Sequence, residues 1–269
     1  MHKIQRPARF RGDGTQSVDK NTAKTDNRTL LFVNLNMQPK VSRYYRIKWY
    51  VDVAVSIITL PVIGSVILLF MLLTRLTSKG PVIYTQIRCS KDGKPFSMYK
   101  IRSMVVDAEA KTGAVWASVG KRDPRITAVG RIMRKLHIDE LPQIVNVWRG
   151  EMTVIGPRPE RPEFVEKLKT EIPCYEGRMT VLPGLTGYAQ LNRPADTDLK
   201  DVRKKLILDL EYIEQASFCL DMRILLGTAF KFIRFRYFDR LPLRLCGICR
   251  DPENSPWAAE IGLEDFEDN

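Results

Sequence analysis

The chain is poor in the residues that build several common sites. It has two histidines, His2 and His137, and five cysteines, Cys89, Cys174, Cys219, Cys246 and Cys249. Cys246-Gly-Ile-Cys249 has the spacing of half a zinc site, but no second pair follows and two histidines do not complete it. Five cysteines in 269 residues do not make a disulfide framework either, so reduced thiols in a cytosolic setting are expected. No Gly-x-x-x-x-Gly-Lys-Ser/Thr loop and no Gly-x-Gly-x-x-Gly occurs, so neither a P-loop nor a dinucleotide fold is supported. There is no DNA-binding motif and no platform of interleaved aromatic and basic residues, which argues against a nucleic-acid partner. No internal repeat is present.

Two further scarcities are local. Residues 53–74, "VAVSIITLPVIGSVILLFMLLT", carry no charge over 22 positions, about the length that crosses the hydrocarbon core of a bilayer. The run starts too late for a secretory signal and no small-residue cleavage site follows it. Acids are rare at the start of the chain: residues 1–50 hold eleven Lys/Arg against three Asp, a net +8. The end is the reverse, with seven acids and no base in residues 251–269, inside a chain of net charge +12. A basic arm beside an apolar run fits anionic membrane lipids, where each juxtamembrane Lys or Arg gains roughly 1 kcal/mol.

These patterns divide the chain into a disordered basic arm (1–40), an interfacial segment with a membrane helix (41–79), a catalytic domain (80–238) and an acidic tail (239–269). Arg43, Arg46 and Lys48 before the apolar run are balanced by Arg75 and Lys79 after it, so charge gives a spanning helix no orientation. Pro61 and Gly64 within the run can break a helix. Both features fit a segment that dips into one leaflet and returns, although prolines are tolerated in spanning helices as well. Beyond it, "PVIYTQIRCSKDGKPFSMYKIRSM" (81–104) reads as a hairpin turning at Asp92-Gly93. Helices are expected over 125–137, over 139–148 with a stop at Arg149-Gly150, over 161–172, and from 198 to about 237 with a break near Ser217. A Pro/Gly loop with a short strand is expected over 181–194.

The residues suited to chemistry cluster between 100 and 190. Pro142 fits a first helical turn, placing Asp139 at or near the N-cap and Glu140 in that turn, where the helix favours negative charge. An Asp there is also an ordinary cap. The prolines of Gly156-Pro157-Arg158-Pro159 restrain one guanidinium in a way that suits bidentate phosphate recognition, or simply make a stiff surface turn. Gly184 and Gly187 would let backbone approach an anion. Lys100 and Arg102 alternate on a strand and face one way. Arg134 stands about one turn upstream of the acids. Together these describe phosphate chemistry at a bilayer surface, with carboxylates for a hard cation such as magnesium. Asp139, at a helix start near several cations, is expected to have a low pKa.

Four stretches, "GPVIYTQIRCSKDGKPFSMYKIRSM", "DPRITAVGRIMRKLHIDELPQIVNVWRGEMTVIGPRPE", "LPGLTGYAQLN" and "LILDLEYIEQASFCLDMRILLGTAF", resemble the bacterial sugar transferase family over about residues 43–237. These are the monotopic phosphoglycosyl transferases, and the chain resembles their short form. The resemblance implies transfer of a sugar 1-phosphate from a nucleotide sugar, usually a UDP-sugar, to undecaprenyl phosphate, with Mg2+, at the cytoplasmic face of the bacterial inner membrane. It assigns Asp139 as nucleophile, Glu140 as its partner at the metal, and Lys100, Arg102, Arg134, Arg158, Gly184 and Gln190 to the substrate and its phosphates. The chain departs from the family at the middle of the apolar run. Gly64-Ser65 stands where a Ser-Pro pair is common, with Pro61 one turn earlier.

The expected fold is α/β-like (α+β), mainly helical with short strands, a cytoplasmic catalytic domain anchored by a re-entrant or transmembrane helix, with a homodimer left open. The competing readings are a membrane-anchored, Mg-dependent phosphodiesterase with water as acceptor, and a non-enzymatic membrane scaffold.

Overall fold

A computed structural model describes residues 38–106, 108, 123–193, 198–233 and 252–262. Most of the expected basic arm, much of the acidic tail and the Cys246/Cys249 pair lie outside the described residues.

The apolar run forms the centre of one helix, α1 (Tyr45–Thr77), 33 residues long. At 1.5 Å per residue it measures about 50 Å, long and apolar enough to cross a membrane. The expected break is not there, because Pro61 sits inside a continuous helix. A proline removes one backbone donor, and the remaining bonds of so long a helix hold it together. The helix is inverted in polarity. Its buried residues are Lys48, Asp52, Ser56 and Thr74, whereas Ile58, Val62, Leu68 and Leu76 are exposed. A helix that hides polar groups and displays apolar ones all round its middle is built for a hydrocarbon solvent.

After α1 comes the hairpin, β1 (Ile83–Cys89) and β2 (Pro95–Ile101), antiparallel with Ile83 opposite Ile101 and Cys89 opposite Pro95. The turn needs two left-handed residues, supplied by Asp92 (φ 58°) and Gly93 (φ 71°). Helix α2 (Ala128–Lys135) starts where the Thr127 side chain caps Gly130 N–H. The chain then reverses through His137, a left-handed residue at φ 50° and ψ 25°.

The helix expected over 139–148 is two pieces, a 3-10 turn over Ile138–Gln143 followed by α3 (Ile144–Trp148). Next come β3 (Thr153–Ile155), α4 (Pro162–Glu171), a 3-10 turn over Tyr175–Met179, and β4 (Gly184–Thr186), which pairs in parallel with β3. A short helix not anticipated from sequence, α5 (Tyr188–Asn192), ends the Pro/Gly loop. Helices α6 (Leu199–Gln215) and α7 (Phe218–Ile233) break at Ala216-Ser217, as the apolar spacing indicated.

Helix α6 is the structural axis. Its residues from Leu206 to Ile213 are all buried, one face against Val165, Leu168 and Tyr175, the other with Ile155, Tyr188 and Ile224. A fully buried Leu or Ile contributes about 1.5–3 kcal/mol. The segment 252–262, which contains α8 (Trp257–Glu260), is not merely a solvated acidic stretch: Trp257, Ala258 and Ile261 join the same core. The described chain is thus mainly helical, with a few short strands and one long apolar helix near its N-terminal end.

Candidate active site

The left-handed His137 and the 3-10 turn after it bring the acid pair to the surface of β2. Glu140 is the more strongly held. Its Oε1 accepts from Lys100 Nζ at 2.8 Å, and the Arg158 guanidinium grips it with two arms, Nη2 to Oε1 at 2.7 Å and Nη1 to Oε2 at 3.2 Å. Burial alone would raise the Glu140 pKa, but Arg158 and Lys100 hold the carboxyl well below the usual carboxylate range. Burial lowers the Lys100 pKa, against the opposing pull of Glu140.

Asp139 is treated differently by the same turn. It is 7% exposed, and among the described residues no hydrogen bond or ion pair engages its carboxylate. It does not cap a helix, because His137 precedes the turn and Glu140 N–H bonds to His137 O. The low pKa expected from sequence is overturned. Burial pushes the Asp139 carboxyl up and the charge of Glu140 adds to this, while Lys100 and Arg134 oppose without winning. Nearby cations help a carboxylate less when a neighbouring acid has already neutralised them.

The remaining expected residues separate into two groups. Arg134, at the end of α2, stands at the rim, its Nε donating to Ser103 Oγ at 2.9 Å. Gln190, on α5, lines a pocket together with Arg158, Arg178, Lys205 and Asp209. Lys100, Arg134, Arg158 and the acids therefore converge, with Gln190 reached through Arg158.

Arg102 and Gly184 are used otherwise. The strand ends at Ile101, and Arg102 Nη2 donates to Ser78 O and Ser78 Oγ at 3.0 and 2.7 Å, holding the exit of α1. Gly184 N–H donates to Pro157 O at 2.8 Å, so it is engaged by the protein's own backbone. A Cβ on Gly184 would lie 2.1 Å from Gly156 N, and one on Gly187 would lie 2.2 Å from Gly156 O. These glycines let β3 and β4 close on each other and thereby seat the arginine loop.

Sequence reasoning missed Arg88, Arg178, Glu160 and Asp209, which surround that loop. It also missed the buried charges at the base of α1. Lys48 Nζ pairs with Asp52 at 3.4 Å and with Asp221. Asp52 in turn accepts from Thr153 Oγ1 and, at 3.3 Å, from Val154 N–H, and Trp148 Nε1 donates to Ser56 Oγ at 2.6 Å.

As a magnesium site, the pair fits in part. A hard cation needs oxygens with lone pairs to spare, and both Glu140 oxygens already receive cationic donors. The Asp139 carboxylate has that capacity. Among the described residues no group of three or more His, Cys, Asp or Glu converges. A cation here would therefore rest on Asp139 together with phosphate oxygens brought by a substrate, a common arrangement for magnesium.

The bacterial sugar transferase model matches residues 43–235. A Bacillus subtilis (strain 168) protein provisionally named an undecaprenyl-phosphate N-acetylgalactosaminyl 1-phosphate transferase is 48% identical over 146 residues, 54% of this chain and 80% of its own length. The UDP-N-acetylgalactosamine-undecaprenyl-phosphate N-acetylgalactosaminephosphotransferase of Aeromonas hydrophila is 41% identical over 185 residues, 69% of this chain and 43% of its own length. The UDP-glucose:undecaprenyl-phosphate glucose-1-phosphate transferase of Escherichia coli (strain K12) is 38% identical over 182 residues, 67% of this chain and 39% of its own length. The match thus spans most of the first relative but less than half of the other two.

Proposed function

The chain belongs to the bacterial sugar transferase family, and from that premise we propose that it is a phosphoglycosyl transferase that moves a sugar 1-phosphate from a UDP-sugar to undecaprenyl phosphate, the opening step of polysaccharide assembly. The observation that carries the reading is the division of labour between two adjacent acids. Glu140 is neutralised by Lys100 and Arg158 and stays ionised, whereas Asp139 is buried with a carboxylate that no side chain engages among the described residues.

An ionised carboxylate with a raised pKa is a better nucleophile than an ordinary one, and covalent catalysis splits one difficult transfer into two. An Asp139 oxygen attacks the β-phosphorus of the donor. The bond from that phosphorus to the oxygen bridging the α-phosphate breaks, and UMP leaves with the electron pair. An oxygen of the lipid phosphate then attacks the same phosphorus, the acyl–phosphate bond breaks, and the Asp139 carboxylate is restored. One phosphoanhydride replaces another, so little net driving force is needed.

Arg158 and Lys100 would turn part of their charge from Glu140 towards the donor's diphosphate, and Arg134 would meet it from the rim. Magnesium, held by Asp139 and the donor's phosphate oxygens, would supply further charge neutralisation at the leaving group. Glu140 keeps the two cations in place between turnovers.

Helix α1 supports the membrane placement. Asp52 and Ser56 near one end bond to Thr153 and Trp148, while Thr74 and Ser78 at the other end meet Met133 and Arg102. Both ends of the apolar stretch therefore hold the same domain. This supports an unbroken helix seated in one leaflet with both ends on the cytoplasmic face of the inner membrane, where nucleotide sugars are made.

The test is to mix enzyme and UDP-sugar without lipid. The expected result is one UMP per enzyme and a mass gain of one sugar phosphate on the Asp139 peptide. Continuous UMP release without lipid would instead identify a hydrolase.

A further inference from the structure

Each residue of Gly156–Glu160 is tied through its backbone to a group outside the segment. Gly156 N–H donates to Thr186 O at 2.9 Å, Pro157 O accepts from Gly184 N–H at 2.8 Å, and Glu160 O accepts from Cys89 N–H at 2.9 Å. Two further carbonyls accept from arginine side chains: Arg158 O from Arg178 Nη2 at 3.1 Å, and Pro159 O from Arg88 Nη1 at 3.1 Å. The Glu160 side chain is shared by the same two arginines, 3.6 Å from Arg88 and 3.8 Å from Arg178. Arg178 also pairs with Asp209 at 2.7 Å and donates to Tyr175 Oη at 3.0 Å.

This pattern answers a problem the sequence creates. Pro157 and Pro159 have no N–H, so the loop can be fixed at those positions only through its carbonyls. Arginine presents several donors in a rigid fork, so one side chain can meet a carbonyl and a carboxylate at once. Both guanidinium groups are largely buried, at 13% and 10% side-chain exposure. Buried arginines are retained where their donors have definite partners, and here those partners flank Arg158. Among the described residues neither Arg88 nor Arg178 bonds to Asp139 or Glu140, so neither is placed to do the chemistry itself.

We propose that Arg88 and Arg178, with Glu160 as their shared counter-ion, are positioning residues that hold the Arg158 backbone so that its guanidinium can turn from Glu140 to the donor's diphosphate without any shift of the loop. The proposal rests on the reading of Arg158 as a diphosphate-binding residue. Arg88 delivers its hold from β1 and Arg178 from the 3-10 turn over Tyr175–Met179, itself braced by α6 through Asp209. Loss of either should loosen the loop and leave the acid pair in place.

The test uses the full chain in detergent micelles with Arg178→Lys and Arg88→Lys. Each keeps its charge beside Glu160 but loses the fork. Hydrogen exchange of the peptide covering 153–161 reads the loop, and kcat/KM for UMP release is measured with and without Arg158→Ala. The expected result is exchange about tenfold faster at the Gly156 amide, whose N–H donates to Thr186 O, with kcat/KM down about tenfold in the native background and less than twofold beside Arg158→Ala. Equal losses in both backgrounds would show that the arginines support the fold at large, and this overturns the proposal. So does unchanged exchange, or no loss of kcat/KM in the native background. If Arg158→Ala alone turns over normally, the diphosphate role of Arg158 fails instead, and the exchange data still decide whether the clamp exists. Should one lysine variant fail to fold, the other carries both measurements.

Discussion

Replacing Asp139 by Asn should make the protein more stable and nearly inactive. Asp139 is 7% exposed, its carboxylate lacks a bonded partner among the described residues, and burial holds its pKa above the ordinary aspartate value. A group whose folded pKa is raised is penalised in the ionised form. The penalty is complete above the folded pKa and disappears below the unfolded value, about 3.9 for aspartate. Asparagine has nearly the same shape and carries no charge, so at neutral pH the variant should gain on the order of 1–2 kcal/mol, a usual size for relieving strain at an active site. For a domain of this size that is a rise in Tm of about 2–8 °C. Turnover should fall at least about 10³-fold, because an amide cannot form the acyl phosphate. The assay pairs thermal unfolding in detergent across pH with UMP release. The Tm advantage should shrink as pH falls through the raised Asp139 pKa and vanish below the ordinary aspartate range. A variant that unfolds earlier than the native protein at pH 7, or that releases UMP within tenfold of it, would refute the reasoning and leave Asp139 a structural residue.

Glu140→Gln should act in the opposite sense. It leaves Lys100 and Arg158 without a counter-charge and should cost about 2–4 kcal/mol, read as a lower Tm. The Glu140 contribution is present above the ordinary glutamate pKa and is lost as pH falls through its depressed folded pKa, so the gap to the native protein should persist until strongly acidic pH. Lys48→Met strands Asp52 and Asp221 together in a buried site and should cost about 3–5 kcal/mol by thermal unfolding in detergent. Gly184→Ala would place a methyl 2.1 Å from Gly156 N and should cost about 3 kcal/mol or more, seen as loss of soluble folded protein after extraction. Cysteines placed at Lys40 and Lys79 in a cysteine-free background should both resist a membrane-impermeant thiol reagent added outside the cell, and labelling of either one would replace the proposed topology with a crossing helix.

Much of the scaffold was legible because its signals are local. Asp92-Gly93 supplies the left-handed pair that a tight hairpin turn requires, and both residues adopt positive φ. The uncharged run announces α1, and the apolar spacing from 198 onward announces α6 and α7 with their break. Where two local structures share one signal, the reading was less complete. Pro142 suits a first helical turn but equally suits a 3-10 turn, and the chain takes the latter. Alternation placed Lys100 and Arg102 on one face, yet the strand ends between them and the arginine turns to Ser78. Gly184 was recognised as a position that needs a bare backbone, although the close neighbour is Gly156 and no anion is required to explain it. Arg88 and Arg178 were not legible at all. Arg88 meets Pro159 across 71 positions of sequence, and nothing local distinguishes such an arginine from a solvated one.

The buried polar face of α1 gives the fold its functional logic. In water, a helix with Lys48, Asp52 and Ser56 inside and leucines outside would be the wrong way round. In a bilayer those polar groups are what the helix can offer its own domain: Lys48 pairs with Asp52 and Asp221, and Asp52 and Ser56 bond to elements that lead into the site. Ser56 meets Trp148, at the end of the helix that continues the Asp139–Glu140 turn. Asp52 meets Thr153, in the strand that runs into Gly156 and the arginine loop. One helix therefore bonds to the elements that lead to both halves of the proposed phosphate site, the acids and the arginine. A transferase with a lipid phosphate as acceptor must meet that phosphate at the bilayer surface, and a helix bonded to the elements behind both halves sets their depth together. Weakening Asp52 or Ser56 should thus impair turnover with the lipid acceptor more than formation of the proposed phosphosugar on Asp139, since the latter needs no lipid.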